Sequence, residues 1–476
     1  MNLFNIKKMP NSIILILIII GAIITVVVAV GRYYNNESLK NDNRVRDDER
    51  VLILKITLMN DLDPRKPKLL KRAKSILEKR NIDKNLDNIL NGKIDDENKV
   101  LLAALNYFSD QEYLKSAKVF KYLESISKDK YINAVSKSFL GSIYLYSIKD
   151  ENENPKKYLL SALTNLEKFN SKSEEYFVIK AFTHTDLGIY YKQNSKIKES
   201  ETQYLTALKV YKKLNILFPN EYNINIGEQY QNIYSLHAGF GKLDELSLNE
   251  AYLHKKKAFE DNPNYISTYL NTISSLGLIY TKKGNFNKAK HYFDLGEKLI
   301  EDVKNKNTLG DEFLLKSIGL NNNFSSYYRQ KASIDNHVDN LKLSKFYLIK
   351  NEEIFENLKE FNGSTSLRSY GTNLYALGLV NQELEVYDKA LEYYLRAEKI
   401  RLDLSKMDND NIGVFSEELA HVYYGLANIY SSVRGGVDEN KAKTYAKKAL
   451  KIYEDNLKYN PILKNYINSM ESIINS

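Results

Sequence analysis

The chain has 476 residues, with 69 Lys and Arg against 60 Asp and Glu, 7 Pro, 20 Gly, no Cys and no Trp. The lack of cysteine excludes disulfides, thiolate zinc sites, a cysteine nucleophile and an acylated lipoprotein anchor. The net charge of +9 comes from interspersed signs, so no nucleic-acid partner is expected. Few prolines and glycines, without sustained apolar/polar alternation, predict an all-α protein.

The N-terminal part of the chain predicts a membrane anchor. A short tail at residues 1–11 precedes an apolar segment at residues 12–31, and the 19 uncharged residues from Ser12 to Val30 are enough to cross a bilayer as a helix. A secretory signal peptide normally has a shorter apolar stretch, so we expect an uncleaved anchor, although Ala29 and Gly31 are small enough for a cleavage site.

The orientation of this anchor follows less directly from charge. Lys7 and Lys8 precede the apolar segment, whereas Arg32, Lys40 and further basic residues follow it, so the basic residues on the two sides are nearly balanced. Because a long downstream domain can be translocated largely regardless of its charge, we predict a cytoplasmic N terminus and an extracytoplasmic repeat domain. The reverse orientation is the alternative.

Residues 32–50 are polar and charged without a periodic apolar face, which predicts a linker. Helical apolar spacing begins within residues 51–97, where Pro64 and Pro67 break the chain. The stretch from Pro64 to Arg80 carries eight basic residues and one acid, Glu78. The simplest interpretation is a helix whose basic side faces water, and contact with anionic lipid beside the anchor is the alternative.

A helical hairpin is predicted between residues 276 and 296. Leu276, Gly277 and Tyr280 fall on one helix face, and Ala289 and Phe293 fall on one face of the next helix. The small residues at positions 277 and 289 allow the two helices to approach closely. The same pattern recurs at Leu187, Gly188 and Tyr191, and at Leu377, Gly378, Ala390, Tyr394 and Ala397.

This order of leucine, glycine and tyrosine in one helix and alanine and an aromatic residue in the next resembles the tetratricopeptide repeat (TPR). The intervals from Leu377 to Leu426 and from Leu140 to Leu187 are 49 and 47 residues, longer than the usual repeat of about 34. They are similar to the long-repeat variety of kinesin light chains. The family's usual first-helix tryptophan is absent, so leucine or tyrosine would take its place.

The resemblance implies a right-handed α-solenoid over residues 98–456, with about seven hairpins, each burying its open side against its neighbours. Residues 457–476 are then expected to form a C-terminal capping helix with a polar outer side.

The resemblance further implies that the first helix of each hairpin lines a concave groove, where a protein or peptide partner binds through apolar anchors and hydrogen bonds. The implied groove residues are Thr185, Ile189, Lys192, Asn271, Ser274, Leu278, Thr281, Thr372, Tyr375, Leu379, Gln382, Tyr424 and Asn428. Some relatives clamp a chaperone's C-terminal carboxylate with lysines and asparagines, and the corresponding positions here hold Ser274, Leu278, Tyr375 and Leu379. Chaperone binding is therefore not expected.

No signature of catalysis is found in the sequence. Phosphate loops, dinucleotide fingerprints and nucleophile elbows are missing, and no two of the six histidines have the spacing of paired metal ligands. We therefore expect no enzyme, cofactor or metal. The predicted function is a membrane-anchored scaffold that binds a protein or peptide. A ligand- or peptide-sensing regulatory module and a self-associating envelope assembly factor are the alternatives.

Overall fold

The computed structural model describes residues 86–92, 96–148, 150, 152–169, 173–304, 311–358, 364–407, 414–432, 437–457 and 461–476. The predicted tail, anchor and linker at residues 1–50 and the basic segment from Pro64 to Arg80 lie outside these residues. Within them, no helix is both long and apolar enough to cross a bilayer.

The described elements are all helical, which confirms the predicted all-α class. They are α1 (Leu86–Leu90), α2 (Glu97–Ser109), α3 (Tyr113–Ile126), α4 (Lys130–Tyr146), α5 (Pro155–Phe169), α6 (Glu174–Gln193), α7 (Ile197–Leu217), α8 (Asn223–Gly239), α9 (Glu245–Asp261), α10 (Ile266–Lys282), α11 (Phe286–Lys304), α12 (Asp311–Ala332), α13 (His337–Glu356), α14 (Ser364–Glu383), α15 (Tyr387–Met407), α16 (Val414–Ser431), α17 (Glu439–Asn456) and α18 (Lys464–Asn475). Short 3₁₀ turns at Pro263–Tyr265 and Pro461–Leu463 precede α10 and α18.

From α2 to α17, consecutive helices pair into eight hairpins in the described part of the chain, compared with the seven or so expected. The chain divides into two compact units, one ending at Ile179 and the other beginning at Lys180, within α6. The first unit holds the hairpins α2–α3 and α4–α5. The second unit holds the remaining six hairpins and α18, and it contains the repeats that best match the predicted pattern.

The two helices of several hairpins are joined by the same tight turn. A residue with a left-handed backbone follows the first helix at Gln111, Ser195, Gly241, Gly284 and Glu385, with φ between 55° and 75°. The next N–H then donates to the carbonyl five residues back, as from Asn285 to Tyr280 at 2.9 Å and from Val386 to Asn381 at 2.8 Å. This is the Schellman arrangement that satisfies a helix C-terminus. Only two of the five left-handed positions are glycine, so the turn recurs without a fixed sequence.

Each well-matched hairpin is closed by an aromatic ring lying on a glycine. A Cβ atom added to Gly188, Gly277 or Gly378 would lie 2.5–2.6 Å from the ring of Tyr204, Phe293 or Tyr394. In each case the aromatic residue follows the glycine by 16 positions, and all three rings are buried. The predicted repeat residues Leu187, Leu276, Leu377, Ala289, Ala390 and Ala397 are fully buried, and Tyr191 and Tyr280 nearly so.

Polar side chains inside the second unit hold neighbouring helices in register. The Asn351 amide donates to the side-chain oxygens of Asn322 and Asn373, both at 2.9 Å, and accepts from Asn321 at 2.8 Å. Asn321, Asn351 and Asn373 are at most 1% exposed. Because buried amides lose free energy when they are unpaired, this network favours one relative placement of α12, α13 and α14.

Ionisable side chains make similar links earlier in the second unit. The buried ammonium group of Lys255 in α9 pairs with Glu228 of α8 at 2.9 Å. The ring of His237 lies between Asp244 at 2.7 Å and Glu201 of α7 at 3.1 Å. Removing Glu228 would leave the buried ammonium group of Lys255 unpaired, so this pair favours α8 and α9 as neighbours.

The last helix covers the end of the stack. Leu463, Ile467 and Met470 are buried in one core cluster with residues of α16 and α17, whereas Lys464 and Glu471 are exposed. Residues 461–476 thus have the apolar inner side and polar outer side expected of a capping helix.

The glycine–aromatic contact predicts opposite effects of the same substitution at different helical glycines. Gly277→Ala or Gly378→Ala should lower the free energy of unfolding by about 1–3 kcal/mol, because the new methyl group overlaps a buried ring. Gly319→Ala in α12 is the control, since nothing lies within 4 Å of its Cβ position. That change should stabilise by up to about 1 kcal/mol through helix propensity. Urea unfolding measures both, and equal effects at all three sites would contradict the close approach.

Candidate partner-binding face

The first helices of the second unit leave one side only partly buried. After its first residue, Ile266, α10 has four partly exposed residues, Thr268, Asn271, Ser275 and Leu278, and the exposed Lys282, at the spacing of a single helix face. The other side of α10 carries Leu276 and Gly277, which pack into the hairpin. We call the half-exposed side of α6, α8, α10, α12, α14 and α16 the first-helix face.

Eleven of the thirteen predicted groove residues are half-exposed or exposed: Thr185, Ile189, Lys192, Asn271, Leu278, Thr372, Tyr375, Leu379, Gln382, Tyr424 and Asn428. The predictions of Ser274 and Thr281 as groove residues are wrong, because both are buried. The Ser274 hydroxyl accepts from the Asn323 amide of α12 at 2.8 Å, and the Thr281 hydroxyl donates to the Gly277 carbonyl at 2.8 Å. Ser275 and Lys282, one position further, take their places on the face.

Hydrogen bonds link the first helices of successive hairpins, some at this face and some below it, where Thr272 and Ser274 are buried. They join Lys192 to Ser235 at 2.9 Å, Thr272 to Gln231 at 3.0 Å, Asn323 to Ser274 at 2.8 Å, Arg329 to Glu383 at 2.7 Å and Arg368 to Glu418 at 2.9 Å. The half-exposed sides of the first helices α6, α8, α10, α12, α14 and α16 are therefore adjacent and form one surface.

Two charged groups near this face are shielded from water. Burial lowers the pKa of Lys192, whose ammonium group donates to Ser235. Arg401 of α15 is almost fully buried, and burial likewise lowers its pKa. Its guanidinium pairs with Glu418 and donates to the Thr372 hydroxyl at 2.6 Å. Thr372 is therefore fixed by the interior as well as presented on the face.

Three amide side chains on the face have no hydrogen-bond partner in the described part of the chain. They belong to Asn232 of α8, Asn271 of α10 and Asn428 of α16, and all are half-exposed. Each offers donors and an acceptor, the same groups that a peptide backbone presents. Leu278 and Leu379 lie half-exposed on the same face. The face thus combines free amides with apolar side chains.

Aromatic rings gather at the C-terminal end of the face. The ring of His421 lies 6.4 Å from Tyr375, 5.5 Å from Tyr453 and 5.0 Å from Tyr466, and Tyr424 packs edge-on against Tyr466 at 5.2 Å. The Tyr453 hydroxyl is 2.8 Å from the His421 Nδ1 atom. The capping helix therefore contributes a ring to the same surface.

Several residues of this face were not predicted from sequence. Arg368 lies one helical turn before Thr372, and His421 lies one turn before Tyr424. Extending the predicted groove residues by one turn along α14 and α16 would therefore include them. Glu418 and Tyr466 carry no such signal, because their place depends on how α16 and α18 pack. Within the described residues, no group of three or more His, Asp or Glu side chains is arranged to hold a metal ion.

No protein-family model matches the chain, and the comparison with curated proteins gives no match. Among solved structures, a Rap protein complexed with Competence and Sporulation Factor is similar at 16% identity over 77% of this chain and 99% of that one, with a TM-score of 0.39. A signal-transduction ATPase with a tetratricopeptide repeat sensor from Pyrococcus horikoshii is similar at 13% identity over 80% and 62%, with a TM-score of 0.35.

The human IFIT1 dimer with PPP-AAAA is similar at 14% identity over 82% of this chain and 91% of that one, with a TM-score of 0.27. With TM-scores below 0.5, none of these likenesses carries an argument about the activity or partners of this chain. The architecture rests on the hairpins described above, which form an all-α helical repeat.

The buried tyrosines predict how the fold responds to alkali. Burial raises the pKa of Tyr394 and Tyr453 well above the usual value for a phenol. Because these phenols ionise more readily in the unfolded chain, the stability they contribute is present below about pH 10 and is lost as the pH rises further.

During an alkaline titration, the last part of the tyrosinate absorbance should therefore appear together with the loss of helical circular dichroism. The chain contains no tryptophan, so this absorbance is free of indole overlap. Complete ionisation of the tyrosines with native circular dichroism would contradict the buried cluster.

Proposed function

We propose that this chain is a non-catalytic, TPR-like scaffold, held at a membrane by its N-terminal segment, whose first-helix face binds a protein or peptide. The observation that carries this proposal is the combination on one surface of unpaired amides at Asn232, Asn271 and Asn428 with half-exposed leucine side chains. Free amides form hydrogen bonds with the backbone N–H and C=O groups of an extended segment, and the leucines contact its apolar side chains.

The repeat architecture supports this use of the face. Each hairpin of the second unit presents the same side of its first helix, and polar links join neighbouring first helices, so the surface lengthens with every repeat of this unit. We infer that the stack curves into a right-handed solenoid with this face on the inside, where a bound segment contacts several helices at once. A polypeptide fits such an elongated, mixed surface better than a compact small molecule does.

The face is also suited to specificity. A partner that leaves Asn232 or Asn271 unpaired on binding loses the hydrogen bonds those amides make with water, so the surface discriminates against segments of the wrong register. The aromatic end around Tyr424 and Tyr466 supplies rigid rings, which lose little conformational entropy on contact.

Photo-crosslinking in producing cells tests the face directly. A crosslinking residue at Leu278 or Leu379 should give a discrete adduct, whereas one at the exposed Leu205 or Leu253 of the second helices α7 and α9 should not. Adducts of equal yield on both sides would count against a dedicated binding face. Adducts with a second copy of the chain would support self-association instead.

Removal of the free amide donors should weaken that adduct. Asn232→Asp with Asn271→Asp keeps the side-chain shape but removes two NH2 groups, each with two N–H donors. The yield should therefore fall by about tenfold, the loss expected when one or two hydrogen bonds are not made. The matched control is Asn287→Asp with Asn440→Asp, at exposed positions of α11 and α17. An equal loss in both pairs would show that added negative charge, rather than the amides, is responsible.

We propose that residues 12–31 anchor the protein with its N terminus in the cytoplasm and the repeats outside it, as the uncharged apolar segment and Lys7 and Lys8 indicate. A reporter active only outside the cytoplasm, fused after Ser476, should then be active. Activity of a reporter that works only inside the cytoplasm would show that the anchor has the opposite orientation. Release of the fusion into the soluble fraction would contradict anchoring.

A further inference from the structure

A second candidate binding site lies away from the first-helix face, where α13, α14 and α15 meet. A cavity of about 450 Å³ is lined by Glu352, Phe355, Glu356, Leu358, Tyr370 and Arg396. Phe355 and Leu358 are buried, and the Tyr370 ring lies 4.9 Å from that of Phe355. The cavity therefore has an apolar floor with charged side chains around it.

The charge around this cavity is negative, although the chain as a whole is positive. Glu352 and Glu356 lie one turn apart on α13, so their carboxylates are on the same side of the helix. Arg396 donates to the Tyr370 hydroxyl at 2.5 Å, and its guanidinium is 3.7 Å from Glu352, beyond hydrogen-bonding distance. Glu356 is exposed and makes no ion pair within the residues that the structure describes.

The lining therefore leaves one carboxylate without a cation and another only loosely paired. A group with an apolar stem and a positive head complements both parts of the cavity. The stem would contact Phe355, Leu358 and Tyr370, and the head would lie between Glu352 and Glu356. The side chains of lysine and arginine have this build.

Two exposed apolar residues of α13, Phe346 and Ile349, precede the cavity-lining residues along this helix, and we call them the apolar ledge. Phe346 is 56% exposed and Ile349 is 42% exposed, which is unusual for large apolar residues. Ile349 precedes Glu352 by three residues and Glu356 by seven, so all three lie on one side of α13. Phe346 lies one turn earlier. The ledge and the cavity form one continuous strip with an apolar half and an acidic half.

From this strip we propose that α13 and α15 form a docking site for a basic amphipathic helix of a partner protein. Apolar residues of that helix cover Phe346 and Ile349, and one of its lysine or arginine side chains enters the cavity. Charge complementarity selects this occupant, since an acidic peptide would be repelled by Glu352 and Glu356. The site does not depend on the first-helix face.

A fluorescent helical peptide built only of leucine and lysine is a suitable probe for the purified full-length chain. Its binding, followed by fluorescence anisotropy at low salt, should weaken about tenfold in Glu352→Gln with Glu356→Gln, which corresponds to two partly exposed charge pairs. Phe346→Ser with Ile349→Ser should weaken it independently through the ledge. Circular dichroism checks that these surface variants keep the native helix content.

The matched control is Glu301→Gln with Glu454→Gln, which removes the same charge from exposed positions of α11 and α17. This pair should change peptide binding by less than about twofold, as separated surface charges contribute little. Equal weakening in both pairs would show general electrostatic attraction and overturn the site. The absence of binding by the lysine peptide, or equal binding of its glutamate counterpart, would overturn it as well.

Discussion

In three hairpins the ring of an aromatic residue occupies the space that a first-helix side chain would otherwise fill. Gly188, Gly277 and Gly378 leave that space to Tyr204, Phe293 and Tyr394. The contact sets how closely the two helices approach and how each is rotated about its axis. Because rotation decides which residues are buried, the same contact determines the side that the first helix presents to solvent. The first-helix face is thus a consequence of packing inside the hairpin.

The interior of the second unit is more polar than its hairpin pattern suggests. The Asn321, Asn351 and Asn373 network and the buried ions Lys255 and Arg401 each join helices of the stack. Apolar packing alone tolerates sliding between similar repeats, whereas a buried amide or charge is satisfied in few arrangements. We interpret these polar contacts as the groups that fix the order and register of hairpins whose apolar surfaces resemble one another.

The two proposed surfaces share α14 but differ in their other helices and in their chemistry. The first-helix face combines unpaired amides with leucine and tyrosine side chains. This combination suits an extended segment, whose backbone N–H and C=O groups need hydrogen-bond partners. The strip on α13 combines exposed apolar residues with the acids Glu352 and Glu356, which suits a basic helix. A scaffold with both could hold two partners at once, one through backbone recognition and one through charge. Neither surface requires a catalytic group.

The sequence by itself determined the helical class, the hairpin unit and the buried leucines. Each of these follows from spacing along one helix or between two adjacent helices, and that spacing is set by the backbone geometry of the helix. The resemblance to the repeat family also implied eleven residues, from Thr185 to Asn428, that the structure leaves at least partly exposed. The predicted anchor rests on the sequence alone.

Tertiary structure decided what lies between hairpins. A shift of one residue turns a side chain by about 100° around a helix, so the direction of the neighbouring hairpin alone buries Ser274 and exposes Ser275. The places of Glu418 and Tyr466 likewise depend on contacts between residues that are distant in sequence. The cavity that Arg396 helps to line is also formed by such residues. Helical periodicity is a local property of the chain, whereas these contacts depend on how separate helices are placed in space.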